Sequence, residues 1–373
     1  MPIVAGINRA KSSIEIFIFR FDRGEIERAL AAAVKRGVFV HALVAHINRS
    51  GEASLRRLET QLLGAGVTVA RTADDLSRYH GKLMIVDRRE LYLLAFNLTY
   101  LDIERSRTFG VITTNRRVVQ EAARLFEADT KRHPYEPGLA SFIVSPANAR
   151  KQLSSFIQGT KRELLIYDPK VSDPAMIRLL EERSKAGVDV KIIGRVAHKS
   201  PWLAVRRLGH FRLHTRTMIQ DGSRAFVGSQ SLREVELDGR REVGIILRDS
   251  KVVSKLVKTF QQDWVASEKP RETNQSEETE PAAKAARKIA KAVAKELPPV
   301  APVLNVIVKE MVGDATGIEL NAKEVEETVK GAVKEAVREV VRDAMEEVAE
   351  YADDGGSVKP PGSNHTSNHK GRG

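Results

Sequence analysis

Two short segments carry residue types that can do group-transfer chemistry near neutral pH. His80-Gly81-Lys82-Leu83-Met84-Ile85-Val86-Asp87 reads H-x-K-x4-D, and His214-Thr215-Arg216-Thr217-Met218-Ile219-Gln220-Asp221 reads H-x-R-x4-D. Side chains alternate along an extended strand, so His80 and Lys82 share one face, as do His214 and Arg216. Each segment thus offers one imidazole beside one cation. Brought to a common cleft, the two pairs suit a phosphodiester. One imidazole attacks phosphorus, the other protonates the leaving oxygen, and the cations stabilise charge on the non-bridging oxygens. His46 and His198 end matching strands, at the rim of the cleft or solvated, and His41, His133, His210, His365 and His369 show no metal-ligand spacing. Without cysteine there is no thiolate zinc site, disulfide or cysteine nucleophile. The expected site holds no metal and no cofactor.

The elements that must position these residues form an internal repeat. Lys11-Ser12-Ser13-Ile14-Glu15-Ile16-Phe17-Ile18 matches Lys161-Arg162-Glu163-Leu164-Leu165-Ile166-Tyr167-Asp168, both reading as buried strands. A helix follows each. In the first copy Asp22 is placed to cap with Glu25 three residues on, and Ile26, Ala29, Leu30, Ala33 and Val34 recur at helical spacing. In the second, Ser172 or Asp173 is the expected cap, with Pro174 as first helical residue. Both copies then enter a Gly-Val turn and a strand, at Gly37 and Gly187, and the strand ends align as Val44-Ala45-His46 with Val196-Ala197-His198. A closing helix capped by Asp249 or Ser250 places Val253, Leu256, Val257, Phe260 and Trp264 on one face, so the folded body should end near Ser267. The fold class is α/β: two α/β units built alike and related by a pseudo-twofold, sharing one cleft, followed by a tail.

At the doubled motif the sequence resembles the phospholipase D superfamily, within it the cardiolipin synthase and phospholipase D-like branch; the resemblance covers about residues 1–267. It implies a phosphohistidine mechanism without metal, in which His80, Lys82, Asp87, His214, Arg216 and Asp221 are catalytic. Family members carry a Gly-Ser-x-Asn stretch after each motif and then an acid that orients a histidine. The second copy gives Gly228-Ser229-Gln230-Ser231 and Glu242, whereas the first keeps only Asn97 and has Thr108 where the acid is expected. Both Thr108 and Glu242 stand 28 residues after their histidines. The expectation is that Glu242 holds His214, leaving His80 with neutral Thr108, and that Lys82, Asn97, Arg216, Ser229 and Ser231 grip phosphate. The family usually has another strand before the first, so the resemblance implies a late start to this chain.

The 373 residues carry a net charge of +12, divided unevenly. Residues 268–373 hold 16 Lys/Arg and 20 Asp/Glu, leaving 45 and 29, net +16, in residues 1–267. A body this basic favours phosphate-bearing partners. The expected organisation is units at 1–135 and 136–267, a linker at 268–281, a helical tail at 282–351 and a disordered end at 352–373. Within the tail, 282–297 reads as a basic helix and 322–351 as an acidic one, able to pair with each other or, for the first, to meet an anionic membrane. No apolar run reaches the ~18–20 residues of a membrane span and no signal peptide is legible, so the expected location is cytoplasmic, peripheral at the inner face of the membrane if the substrate is lipid. The leading expectation is a phosphodiesterase or phosphatidyltransferase acting on phospholipid at an anionic membrane surface. The alternatives are a nuclease-type phosphodiesterase on nucleic acid, and a phosphate-binding module without turnover.

Overall fold

The computed structural model describes residues 1–19, 22–46, 51–209 and 211–267. The linker, both expected tail helices, the C-terminal segment and His210 lie outside the described residues. In the first half the order is α1 (Pro2–Arg9), β1 (Ser13–Ile18), α2 (Gly24–Lys35), β2 (Phe39–Val44), α3 (Gly51–Gly64), β3 (Thr68–Arg71) and β4 (Arg78–Tyr79). There follow β5 (Leu83–Val86), β6 (Glu90–Leu94), α4 (Tyr100–Glu104), β7 (Ser106–Arg107), β8 (Gly110–Thr113) and α5 (Arg116–Lys131). The second half has β9 (Phe142–Val144), α6 (Ala149–Gln158), β10 (Glu163–Val171), α7 (Pro174–Lys185), β11 (Asp189–Val196), β12 (Ala204–Arg206) and β13 (Arg212–Leu213). It closes with β14 (Arg216–Gln220), β15 (Arg224–Gly228), α8 (Glu234–Asp238), β16 (Arg240–Arg241), β17 (Val243–Leu247) and α9 (Ser250–Ala266).

Two mixed sheets result. The first runs β3-β2-β1-β5-β6-β8 and the second β12-β11-β10-β14-β15-β17-β9. In each, a central strand pairs in parallel with the next strand of its βαβ unit and antiparallel with the strand that follows the histidine. Both faces are covered, which explains the nearly continuous apolar runs. Ile14, Ile16 and Ile18 of β1 pack into one core cluster with α1 and α2, while Phe17 and the following Phe19 face a second with α5. β10 divides likewise, with Leu164 and Ile166 on one side and Leu165 and Tyr167 toward α9. Burying each such side chain contributes about 2 kcal/mol. The α5 cluster also takes in Phe142, Val144, Val243 and Ile245 of the second half, so the two halves share core.

Two local expectations change. Asp22 does not cap α2: Arg23 is its N-cap residue, without a side-chain cap, and Asp22 instead accepts from the Tyr100 amide. The strand ends Val44 and Val196 are not equivalent, because Phe17↔Leu43 in the first sheet corresponds to Tyr167↔Ile193 in the second, which sets Val44 against Gly194. Gly194 has φ +149, and a Cβ there would come within 1.7 Å of the Asp168 carbonyl oxygen, so only glycine fits. Asp173 and Asp249 do cap α7 and α9, accepting from Met176 and Val252 amides.

Candidate active site

From Arg78 to Glu242 a constant offset of 134 relates the two halves around the histidines: His80 to His214, Lys82 to Arg216, Asn97 to Ser231, and Thr108 to Glu242. Two short parallel pairings bring these residues together. β4 pairs with β16 and β13 with β7, so each segment entering a histidine is stitched to the other half. The His80 amide donates to Arg241 O at 2.7 Å and the His214 amide to Arg107 O at 3.2 Å. Both rings and Lys82 are buried.

His80 is held on both sides. Its Nδ1 lies 2.9 and 3.0 Å from the two Glu242 carboxylate oxygens, and its Nε2 lies 2.9 Å from Lys82 Nζ. A carboxylate can only accept, so Nδ1 carries the proton and Nε2 keeps a lone pair, which accepts from the ammonium. Burial, then Lys82 and Arg216, push the imidazole pKa well below its usual value, so the ring is neutral at pH 7. Lys82 itself is lowered to about 7, chiefly by burial and against the pull of Glu242. Burial raises the Glu242 carboxyl, with Lys82 opposing.

This overturns the expected partnership of Glu242 with His214. The acid after each motif serves the histidine of the other half, because β16 returns beside β4 and not beside β13. By that crossing Thr108 should face His214, yet its hydroxyl donates to the Asp102 carbonyl. The group that does face His214 is the Asp102 carboxylate, with Oδ2 at 3.2 Å from Nε2. The contact lacks hydrogen-bond alignment and becomes an ion pair only when the ring is protonated, and His214 Nε2 has no hydrogen-bond partner among the described residues. Asp102 also accepts from Asn97 N at 2.7 Å, Asn97 Nδ2 at 2.8 Å and Arg212 Nη1 at 2.7 Å. Burial pushes its carboxyl up, but His214, Arg212 and the Asn97 donors hold it below the usual carboxylate range. His214, like His80, is pushed well below its usual pKa, by burial first and with Asp102 opposing.

The other expected residues divide. Lys82 and Arg216 reach the cleft, Arg216 donating to Ser231 Oγ and His214 O. Asn97 and Ser231 each bond the acid five residues on, Asp102 or Glu236, through the backbone amide, so both shape short helices and neither simply offers a phosphate donor. Ser229 Oγ donates to Val243 O and accepts from Val243 N, supporting the strand after Glu242 instead of gripping phosphate. Asp87 and Asp221 lie at the far ends of β5 and β14, where each accepts three consecutive backbone amides at the start of the neighbouring strand. They clamp turns and do not touch the histidines; each has φ +52, an uncommon conformation that the amide bonds offset. Sequence reasoning missed Asp102, Glu236 and Asp168. The first two sit at offset 134, a signal obscured because one is Asp and the other Glu. Asp168 is buried and accepts from the Leu232 amide; burial raises it to about 6. Among the described residues no group of three or more His, Asp or Glu could hold a metal ion, and no helix is long and apolar enough to cross a membrane.

Two buried imidazoles, each beside a cation and within electrostatic reach of the cation of the other half, are a set suited to phosphoryl transfer. The chain belongs to the phospholipase D-like family: the model described as cardiolipin synthase, PLD-like domain, matches residues 3–130 and 153–264. A polyphosphate kinase of Vibrio vulnificus is 24% identical over 274 residues, covering 66% of this chain and 39% of that protein. A mitochondrial cardiolipin hydrolase of Danio rerio is 29% identical over 127 residues, covering 32% of this chain and 53% of that one. The crystal structure of a phosphatidylserine synthase from Haemophilus influenzae Rd KW20 superposes with TM-score 0.59 at 13% identity, covering 79% of this chain and 91% of that chain. That likeness is one of fold. The chain spans about two fifths of the length of the polyphosphate kinases it matches.

Proposed function

We propose that the protein is a phosphodiesterase or phosphatidyltransferase acting on phospholipids, with His80 as the nucleophile. The observation that carries this reading is the His80 ring, whose Nδ1 is committed to Glu242 while Nε2 is turned to Lys82. Nε2 forms a bond to phosphorus as the bond to the leaving oxygen breaks, and that oxygen takes a proton from His214. In the second step His214 takes a proton from water or an alcohol, which displaces His80. Asp102 supports His214 in its protonated form, as a carboxylate beside a general acid does. The description of the matching family and the cardiolipin hydrolase among the relatives favour lipid as substrate.

The test is release of head group from glycerophospholipid vesicles by purified protein in EDTA, with alkaline quenching and peptide mapping to find the phosphorylated histidine. Turnover in chelator with the adduct on His80 supports the reading. Loss of activity in EDTA, restored by a divalent ion, sinks the mechanism. The +16 charge of residues 1–267 favours one second reading, a nucleic-acid phosphodiesterase. Cleavage of DNA in preference to every lipid, with affinity collapsing as salt rises, would put it first.

A further inference from the structure

The two flanks of the cleft differ in charge in a way the two-histidine chemistry does not use. On the His214 flank, Asp102 takes one arginine at hydrogen-bond length, Arg212 Nη1 at 2.7 Å. On the His80 flank the equivalent acid, Glu236, has one oxygen 3.5 Å from both Arg233 Nη1 and Arg240 Nη1. Across the pseudo-twofold those two arginines correspond to Thr99 and Ser106. Charge-assisted bonds run at about 2.7–2.9 Å, so one carboxylate is shared loosely between two guanidinia. For Arg240, whose side chain is only 13% exposed, that ion pair is the one polar contact among the described residues. Burying a five-donor guanidinium on so little is unfavourable unless another acceptor arrives. A third arginine, Arg78, faces Arg240 in the β4–β16 pairing. Its pKa is pushed down to about 10, by burial first and then by Arg240. All of this lies next to His80, within the electrostatic reach of both Arg78 and Arg240.

We propose that Arg240, with Arg78 and Arg233, forms a second anion subsite beside His80 that takes a further phosphate of the substrate, the first being gripped by Lys82 and Arg216. The inference rests on the phosphoryl-transfer reading and narrows it to substrates bearing two phosphates. The probes are inorganic phosphate and inorganic pyrophosphate, competing in EDTA at fixed ionic strength against hydrolysis of bis(p-nitrophenyl) phosphate. Pyrophosphate should inhibit at a concentration at least ~10-fold lower than phosphate. Arg240→Ser, which installs the residue of the other half, should bring that ratio within ~3, while Lys251→Ser on α9 leaves it unchanged. Arg240→Gln serves if the serine variant melts early. Equal inhibition of the unmodified protein by both anions, or a ratio preserved in both Arg240 variants, would overturn the subsite. Thermal stabilisation by the same two anions reads the ratio without turnover, so a protein that hydrolyses no diester would refute the enzymatic reading and still report on the subsite.

Discussion

The two halves share a strand frame and differ in what stands behind each histidine. Around the central strands the halves are offset by 150 residues, as Phe17 to Tyr167, and around the histidines by 134, as His80 to His214. The first half spends the difference of 16 positions on α3, between β2 and β3, which has no counterpart between β11 and β12. Despite that insertion, both histidines enter the cleft from a two-residue strand paired with the opposite half. His80 then has an aligned carboxylate in Glu242 and a poised Lys82, whereas His214 has an unaligned contact with Asp102. Each half supplies the other's histidine support, so the Thr108 substitution in the first half affects His214 and leaves His80 intact. The asymmetry suits a nucleophile on one side and an acid–base on the other.

Replacing each histidine breaks the comparison most completely. His80→Asn should abolish the phosphoryl adduct and lower turnover by ~10^4-fold or more, because no other lone pair is aimed at phosphorus. His214→Asn should lower turnover by ~10^3-fold on an alkyl diester, yet still form the adduct from a p-nitrophenyl diester, whose leaving group needs no proton. Alkaline-quenched peptide mapping with quantified p-nitrophenolate checks both. An adduct found on His214 in the unmodified protein would exchange the roles.

The supporting acids should differ by degree. Glu242→Gln removes the acceptor that fixes the His80 tautomer and is expected to cost ~10^2–10^3-fold in kcat, whatever the leaving group. Asp102→Asn should cost ~10–100-fold with an alkyl leaving group and much less with p-nitrophenolate, since it acts through His214 protonation. Thr108→Ala should change rates by less than ~3-fold, because that hydroxyl is spent on a backbone carbonyl. A Thr108 variant as damaged as the Asp102 variant would restore the partnership that spacing suggested.

The pH profile sharpens the same contrast. Lys82, lowered to about 7, loses its proton as pH rises through that value and with it the charge proposed to grip phosphate. So kcat/KM for a p-nitrophenyl diester, whose leaving group needs no proton from His214, should fall on the alkaline side from about pH 7. His80 is held well below 6.5, so the nucleophile stays neutral and the acid side should not fall until well under that pH. A bound phosphate favours the charged ammonium, moving the kcat limb to higher pH than the kcat/KM limb. Lys82→Arg should remove the alkaline limb, at a lower plateau, because a guanidinium does not titrate there.

The strand frame was legible because its signals are local. Apolar runs, Pro174 after a capping Asp173 and the doubled histidine motif all act within a few residues. What the sequence misled on was pairing. The equal spacing of Thr108 and Glu242 identifies equivalent positions but not which histidine each reaches, since that depends on β4–β16 and β13–β7, strands of two residues too short for any periodic signal. The motif aspartates misled for the opposite reason: Asp87 and Asp221 recur with the histidines because the segment entering each neighbouring central strand needs its amides tied. Arg240 carries no motif at all, and only its burial marks it out.

The smallest expected effects concern a pair of ion pairs that cross between the halves and carry the same offset of 134. Arg241 binds Asp129 of α5, at 3.0 Å, and Arg107 binds Asp263 of α9, at 2.7 Å. Each arginine's carbonyl accepts the amide of a histidine, so each closing helix reaches the histidine of its own half through one arginine of the other. The pairs differ in solvation. Arg241 and Asp129 side chains are 8% and 1% exposed, while Arg107 is 27% exposed and Asp263 also accepts from the Tyr167 hydroxyl. Burial raises the Asp129 carboxyl to about 6 against the pull of Arg241, and a carboxyl raised on folding costs stability as pH climbs from its unfolded value up to that one. Asp129→Asn leaves a buried guanidinium without its counter-charge and should destabilise by about 3 kcal/mol at pH 8. Asp263→Asn should cost about 1 kcal/mol, since water reaches Arg107 and the amide can still accept from Tyr167. The difference should widen toward pH 5, because a carboxyl raised on folding holds more protons folded than unfolded and so stabilises the unmodified protein as pH falls below about 6, a gain the Asn variant lacks. Urea melts of both variants at pH 5 and pH 8 read it directly. Equal losses at both pH values would mean that the two crossings are energetically alike, and that the halves differ only at the histidines.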